Sequence, residues 1–181
     1  MVVLSFPDLR PIDQAVATAK LTFPYVPGLL SFRESPLVLA ALEKLRVRPD
    51  LLMVDGQGWA HPRRFGIACH LGLLTHIPAL GCAKSILVGR YADLGEEAGA
   101  QAPLVHRGEV VGTVLRSKVR TNPLIVSVGH KIDLPTAVRF VQGCLRGYRL
   151  PETTRAAHNL AGTAQATPPP PPTDTDQGSL F

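Results

Sequence analysis

DLLMVDGQGWAHPRRFGIACHLGLL, residues 50 to 74, is the stretch from which the fold can be read. Leu51-Leu52-Met53-Val54 is an apolar run too short for a helix, and it fits a buried strand. Asp55 ends the run. Gly56 and Gly58 follow on either side of Gln57, leaving backbone that a ligand can approach closely. Pro62 suits the first turn of a helix, and Phe65, Ile67, Ala68, Leu71 and Leu74 recur at near-helical spacing. The unit is therefore strand, Asp-Gly turn, helix. A carboxylate at the tip of a buried strand is a candidate site, and an Asp that only shapes a turn is the plainer alternative.

Working outward, Ser31-Phe32-Arg33-Glu34 has the S-x-x-E spacing of a capping box, ahead of a helix with Leu37, Ala40, Ala41 and Leu45 on one side. Glu34 at that position serves the backbone and the helix dipole, and it gains a chemical role only where it converges with Asp55. Before it, Pro24-Tyr25-Val26-Pro27-Gly28 sets an aromatic between two prolines. Such a loop is stiff, and it either holds Tyr25 outward or packs it in. Pro78 to Ala83 is a second short strand, and Lys84 follows it, placed to reach a shared cleft or to be solvated. Leu104-Val105, Glu109 to Leu115 and Pro123 to Val128 read as further strands, the first two joined by a turn at Arg107-Gly108. Asp133 caps a helix with Ala137, Val138, Val141, Cys144 and Leu145 inward, closing at Gly147. Pro151 opens a last helix that brings Arg155 and His158 close on its surface. This mixture of elements predicts an α/β domain.

The chain has 181 residues, 45% of them hydrophobic, enough for one substantial core. Its 19 Lys and Arg against 14 Asp and Glu give a net charge of +5, which leans weakly toward a polyanionic partner. Cys69, Cys82 and Cys144 sit in apolar surroundings with no CxxC pair, and they read as reduced core thiols of a cytoplasmic protein. No apolar run approaches the roughly 18 residues of a membrane span, and no secretory leader pattern opens the chain. The domain is expected over 1–162. From Thr163 the composition shifts to Ala, Thr, Gln and a proline run at 168–172, which predicts an extended, unpacked tail over 163–181.

Glu34, Asp55, Lys84 and His158 all fall at element ends. Converging carboxylates make an oxygen site for Mg²⁺, a lysine stabilises developing phosphate charge, and a histidine positions or deprotonates water. These are the parts of metal-dependent phosphodiester hydrolysis.

PYVPGLLSFRESP (24–36), DGQGWAHPRRFGIACHLGLL (55–74), GCAKS (81–85), SVGH (127–130) and LPETTRAAH (150–158) resemble the successive motifs of endonuclease V, also called deoxyinosine 3′ endonuclease. The resemblance runs from residue 1 to about 160. It implies an RNase H-like mixed sheet flanked by helices. It also implies a Mg²⁺-dependent enzyme (Mn²⁺ as substitute) that nicks DNA, or RNA in some members, at the second phosphodiester bond 3′ to hypoxanthine. By that resemblance Asp55 and Glu34 hold the metal, Lys84 lies near the scissile phosphate, and His158 is the catalytic histidine. Tyr25 becomes a wedge that fills the space left by an extruded base, and a loop stiffened by two prolines loses little entropy in doing so. Gly28, Leu30, Gly56, His61 and Ile67 become the pocket for that base. A monomer is expected.

One departure concerns the start. The family's other metal-binding Asp lies on a first strand that would precede Met1–Phe6, and Asp8 and Asp13 do not fit its pattern. The expectation is an N-terminally incomplete sheet, from a start codon assigned too far downstream or a truncated copy. A rival reading follows, a lesion-binding protein without catalysis. At the other end, Gln177-Gly178-Ser179-Leu180-Phe181 resembles the short peptides that dock bacterial DNA-processing proteins on the replication sliding clamp. Leu180 and Phe181 would fill an apolar pocket, with Gln177 and Ser179 beside it.

Overall fold

The computed structural model describes residues 1–18 and 30–166. Eleven elements follow in the order β1 (Val2–Leu4), β2 (Pro11–Gln14), α1 (Leu30–Glu43), β3 (Leu52–Val54), α2 (Ile67–Thr75), β4 (Ala79–Ala83), β5 (Gln101–His106), β6 (Glu109–Leu115), β7 (Leu124–His130), α3 (Leu134–Gly143) and α4 (Glu152–Ala166). β3, β4, β7, β6 and β5 form one sheet in that order, while β1 and β2 pair as a separate hairpin. β3 and β4 run parallel, and the remaining pairs are antiparallel. The sheet is mixed, as the expected fold requires.

Burial explains why β4 is a continuous apolar run. All five of its residues are buried, because helices and loops cover both of its faces. Leu80 and Cys82 pack with Leu124, Val126 and the inner side of α3, where Ala137, Val138 and Val141 lie. On the opposite face Leu52 and Ala79 meet Ile67, Leu71 and Ile77. The expected turn at Arg107-Gly108 is present, with φ of 57° and 81°. Two consecutive positive φ values match the right-handed twist of the strands that the turn joins.

Four boundaries differ from expectation. α1 opens at Leu30, so Ser31 lies inside the helix rather than capping it. Pro62 is not in a helix: α2 starts at Ile67 behind Gly66, and residues 61–64 form a turn in which Arg64 takes a φ of 53°. α3 ends at Gly143, and Gly147 lies in the connection beyond. α4 runs through Ala166, past the boundary expected at 162. The Asp133 cap is as expected, its Oδ1 accepting from the Thr136 amide at 2.9 Å.

β3 pairs with β4 along one edge. Beyond its other edge lies a groove of about 900 Å³, with the β1–β2 hairpin among its walls and Asp55 at its lining. α4 packs against both β1 and β3.

Leu80→Ala tests the importance of the central strand. Leu80 is fully buried, and its truncation is expected to lower the free energy of unfolding by roughly 2–5 kcal/mol. Chemical denaturation should show a lower midpoint at unchanged slope.

Candidate active site

The parallel pairing of β3 with β4 brings two loop starts together. Val54 pairs with Gly81, so the residues after the two strands emerge at one end of the sheet, where sites on open α/β sheets form. Asp55 follows Val54, and Lys84 follows Ala83. Lys84 Nζ stands 2.6 Å from Asp55 Oδ2, and each side chain is about two-fifths exposed, at 43% and 41%. An ion pair this open to water adds little to stability. Its importance lies in the charges it holds at the strand ends.

Backbone contacts hold the loops that carry the pair. Gln57 Nε2 donates to the Ser85 carbonyl at 2.8 Å, tying the Asp55 loop to the Lys84 loop. Arg149 Nη2 donates to the Lys84 carbonyl at 2.6 Å, and Arg149 Nε to the Asn122 carbonyl at 2.7 Å. The Gly58 amide donates to Ser127 Oγ at 2.9 Å, and the Trp59 amide to the Val128 carbonyl at 2.8 Å. The Asp55 loop therefore lies flat across β4 and β7. Gly81 makes this possible, since a Cβ there would stand 2.5 Å from the Gly56 carbonyl oxygen and from the Gly58 nitrogen.

Glu34 approaches from α1. Burial raises its carboxyl pKa above the usual value, and the Asp55 charge raises it further. Glu34 and Asp55 are both exposed, so two carboxylates that repel in this way form an open site at which a cation would relieve the repulsion. Oxygen donors of this kind suit Mg²⁺, which keeps several waters and accepts one or two carboxylates. The donor chemistry fits such an ion. Even so, no group of three or more His, Cys, Asp and Glu side chains able to hold a metal occurs among the described residues.

The expected base-pocket residues separate into two groups. Gly56 and Ile67 abut, and a Cβ on Gly56 would stand 2.6 Å from Ile67 Cγ2. His61 is buried on the same loop, with Nδ1 accepting from the Arg63 amide at 3.3 Å. Burial first, and the Arg63 charge second, lower the His61 pKa and favour the neutral ring. Gly28 and the expected wedge Tyr25 lie outside the described residues, as do the Leu30 side chain and Gln177, Ser179, Leu180 and Phe181. His158 is exposed on α4, next to Ala157, which lines the groove that Asp55 borders. No hydrogen bond or ion pair joins His158 to Asp55, Glu34 or Lys84 among the described residues. Arg155 turns to Glu152 and stacks over the Tyr148 ring at 3.5 Å.

Arg149 and Ser127 also support the site, through the Lys84 carbonyl and the Gly58 amide. Arg149 acts on a carbonyl 65 positions away, and no local pattern marks such a contact. Burial has a clear effect on the cysteines: it pushes the Cys82 thiol up to about 12, as expected of an inert core residue.

A mixed sheet with helices on it, and a carboxylate–lysine pair where its parallel strands end, make this an α/β protein with a polar site at its strand ends. The endonuclease V family model matches residues 1–159. A Roseiflexus castenholzii endonuclease V is 58% identical over 161 residues, covering 89% of this chain and 72% of that protein. A Myxococcus xanthus endonuclease V is 58% identical over 159 residues, covering 88% and 68%. The crystal structure of the Streptomyces avermitilis endonuclease V superposes with a TM-score of 0.86 at 46% identity, covering 91% of this chain and 72% of that one. A Ciona intestinalis endonuclease V, crystallised with DNA containing an inosine followed by a ribo-adenosine, gives 0.79 at 27% identity, covering 91% and 77%. The chain belongs to the endonuclease V family.

The coupling between the two carboxylates can be measured directly. Asp55→Asn should bring the Glu34 titration, followed by NMR, down toward its ordinary value, with the burial effect left in place. A Glu34 titration that does not move would show that the charges do not interact. Because the folded pKa of Glu34 lies above its ordinary value of 4.5, its contribution to stability is full below that pH and is lost as pH rises through the raised value. Glu34→Gln should flatten that part of the stability profile.

Proposed function

We propose that this chain is a metal-dependent endonuclease of DNA repair that recognises deaminated adenine and cuts the second phosphodiester bond 3′ to it. The observation that carries this reading is the Lys84–Asp55 pair, 2.6 Å apart at the ends of two parallel strands, with the Glu34 carboxyl electrostatically coupled to it. Family membership and the inosine-containing DNA held by the Ciona relative supply the substrate class.

Asp55 and Glu34 would hold Mg²⁺, or Mn²⁺ in its place. When bound, the ion supplies charge neutralisation at the phosphate and a more acidic water. The chain's own residues do the rest. Lys84 is held by Asp55 until a phosphate competes for its ammonium, and it then neutralises charge developing on the non-bridging oxygens. His158, on the helix that packs against β3, orients or deprotonates the attacking water. The base swings out of the stack at a cost of a few kcal/mol, least at a mismatched base such as hypoxanthine. Gly56 and Ile67 form one wall of its pocket. His61, held neutral, offers a hydrogen bond to the polar edge of the base, and Gly28 and Leu30 complete the enclosure. Tyr25 fills the space left in the duplex. RNA carrying inosine presents the same base edge and is a second substrate. The enzyme acts as a cytoplasmic monomer, and no helix of the described residues is long and apolar enough to cross a membrane.

A second reading, lesion binding without catalysis, draws on the short donor set: two carboxylates, one of them already engaged by Lys84. Nicking of an inosine-containing duplex with Mg²⁺ separates the two. The expected result is a nick that EDTA abolishes and that Asp55→Asn and Lys84→Ala each reduce by roughly 100-fold or more. Selective binding with no nick would support the second reading, and neither binding nor nicking would overturn both. The terminal Gln177–Phe181 peptide adds a separate expectation. Retention on an immobilised bacterial sliding clamp should be lost when residues 177–181 are deleted.

A further inference from the structure

Segments 116–122 and 143–150 carry Arg116, Lys118, Arg120, Arg146 and Arg149 and contain no acidic residue. Their five positive charges equal the net +5 of the whole chain. Folding brings the two segments to the Lys84 end of β4. One guanidinium, that of Arg149, binds the Lys84 carbonyl at 2.6 Å and the Asn122 carbonyl at 2.7 Å, and Ser117 Oγ donates to the Arg149 carbonyl at 2.6 Å. The turn at 118–121 is thus fixed within the reach of one side chain from the Lys84 backbone.

The basic residues divide by what they contact. Arg149 is committed to those two carbonyls. Arg116 is committed to the Gly95 carbonyl at 2.7 Å and the Thr121 carbonyl at 3.0 Å, and Arg146 turns away onto Pro7 at 2.9 Å. Thr121 Oγ1 closes the turn on the Lys118 carbonyl at 2.9 Å. Arg120 sits at a φ of 59°, a left-handed conformation uncommon for any residue but glycine. Lys118 and Arg120 themselves are exposed, and their side chains make no hydrogen bond or ion pair among the described residues. Of the acids in neighbouring segments, Glu152 pairs with Arg155, while Glu96 and Glu97 lie on the 95–100 loop, which is bonded to the Arg116 backbone through Gly99 and Ala100, and no ion pair joins them to Lys118 or Arg120 among the described residues. Two unengaged cations on a braced turn beside the Lys84 loop form a surface for a polyanion.

We propose that the 118–121 turn, through Lys118 and Arg120, grips the phosphodiester backbone of the substrate strand as it leaves the cleavage site at Lys84. The assignment rests on the nuclease reading. It adds a sequence-independent backbone contact that is separate from the base pocket. Phosphate contacts of this type set register and release counterions, so their signature is the salt dependence of binding.

The test compares wild type with Lys118→Ala/Arg120→Ala. Affinity is measured for an inosine-containing duplex and for its undamaged match between about 50 and 200 mM salt. The expected slope of log K against log salt is shallower by about 1.8, or roughly 0.9 per phosphate lost. Affinity should fall by the same factor for both duplexes, with the melting temperature unchanged. If the double variant does not fold, Lys118→Ala alone should lower the slope by about half as much. An unchanged slope overturns the proposal, and so does a loss confined to the inosine duplex. A wild type that binds both duplexes equally, with the slope still falling in the variant, overturns the lesion reading and leaves this surface standing. A wild type that binds neither overturns both.

Discussion

The site depends on the way the loop after β3 lies against the sheet. Asp55 can meet Lys84 only because the Gly56–Trp59 backbone rests on β4 and β7, close enough that Gly81 has no room for a Cβ. Two backbone layers at that separation need small residues and satisfied amides, and the Gly58 and Trp59 amides find their acceptors on Ser127 and Val128. A side chain at position 81 would lift the loop and carry Asp55 off the strand end. The 2.6 Å pair with Lys84 depends on that close packing.

Much of the framework around the pair is built from hydrogen bonds between side chains and backbone carbonyls. Gln57 holds the Lys84 loop from one side, and Arg149 holds it from the other. Neither contact is a large stabiliser: the neutral Gln57 bond is worth about 0.5–1.5 kcal/mol net and the charged Arg149 bond about 1.5–3 kcal/mol. They do fix the lysine backbone so that its ammonium moves by side-chain rotation alone. Positions held this way lower the reorganisation needed when charge develops on a bound phosphate. The same Arg149 braces the 118–121 turn, so the candidate active site and the basic edge share one structural support.

Several features of the candidate site could be read along the chain because they follow from local rules. Asp55 ends an apolar run and is followed by glycines, Lys84 ends another, and Asp133 caps its helix. Each of these is a strand end or helix end defined by its neighbours in sequence. The helix starts are set less locally. Pro62 and Ser31 carry true start signals, but the Gly66 amide donates to the Gly58 carbonyl at 3.0 Å and the Arg64 amide to the His61 carbonyl at 2.9 Å, which fold residues 61–64 into a turn. Those contacts delay α2 until Ile67. Tertiary packing overrode the local preference of proline for the first helical turn.

The sequence by itself determined the α/β class, the strand-end position of Asp55 and Lys84, the burial of the cysteines and the family of the chain. Periodicity, turn chemistry and motif order are properties of contiguous residues. Only the tertiary structure decided that Glu34 feels the Asp55 charge, that Gly56 abuts Ile67, and that Arg149 joins Lys84 to Asn122. Those contacts join residues from 11 to 65 positions apart. Their partners are selected by the pairing of β3 with β4 and by the packing of loops on the sheet, and no pattern of neighbouring side chains encodes that choice.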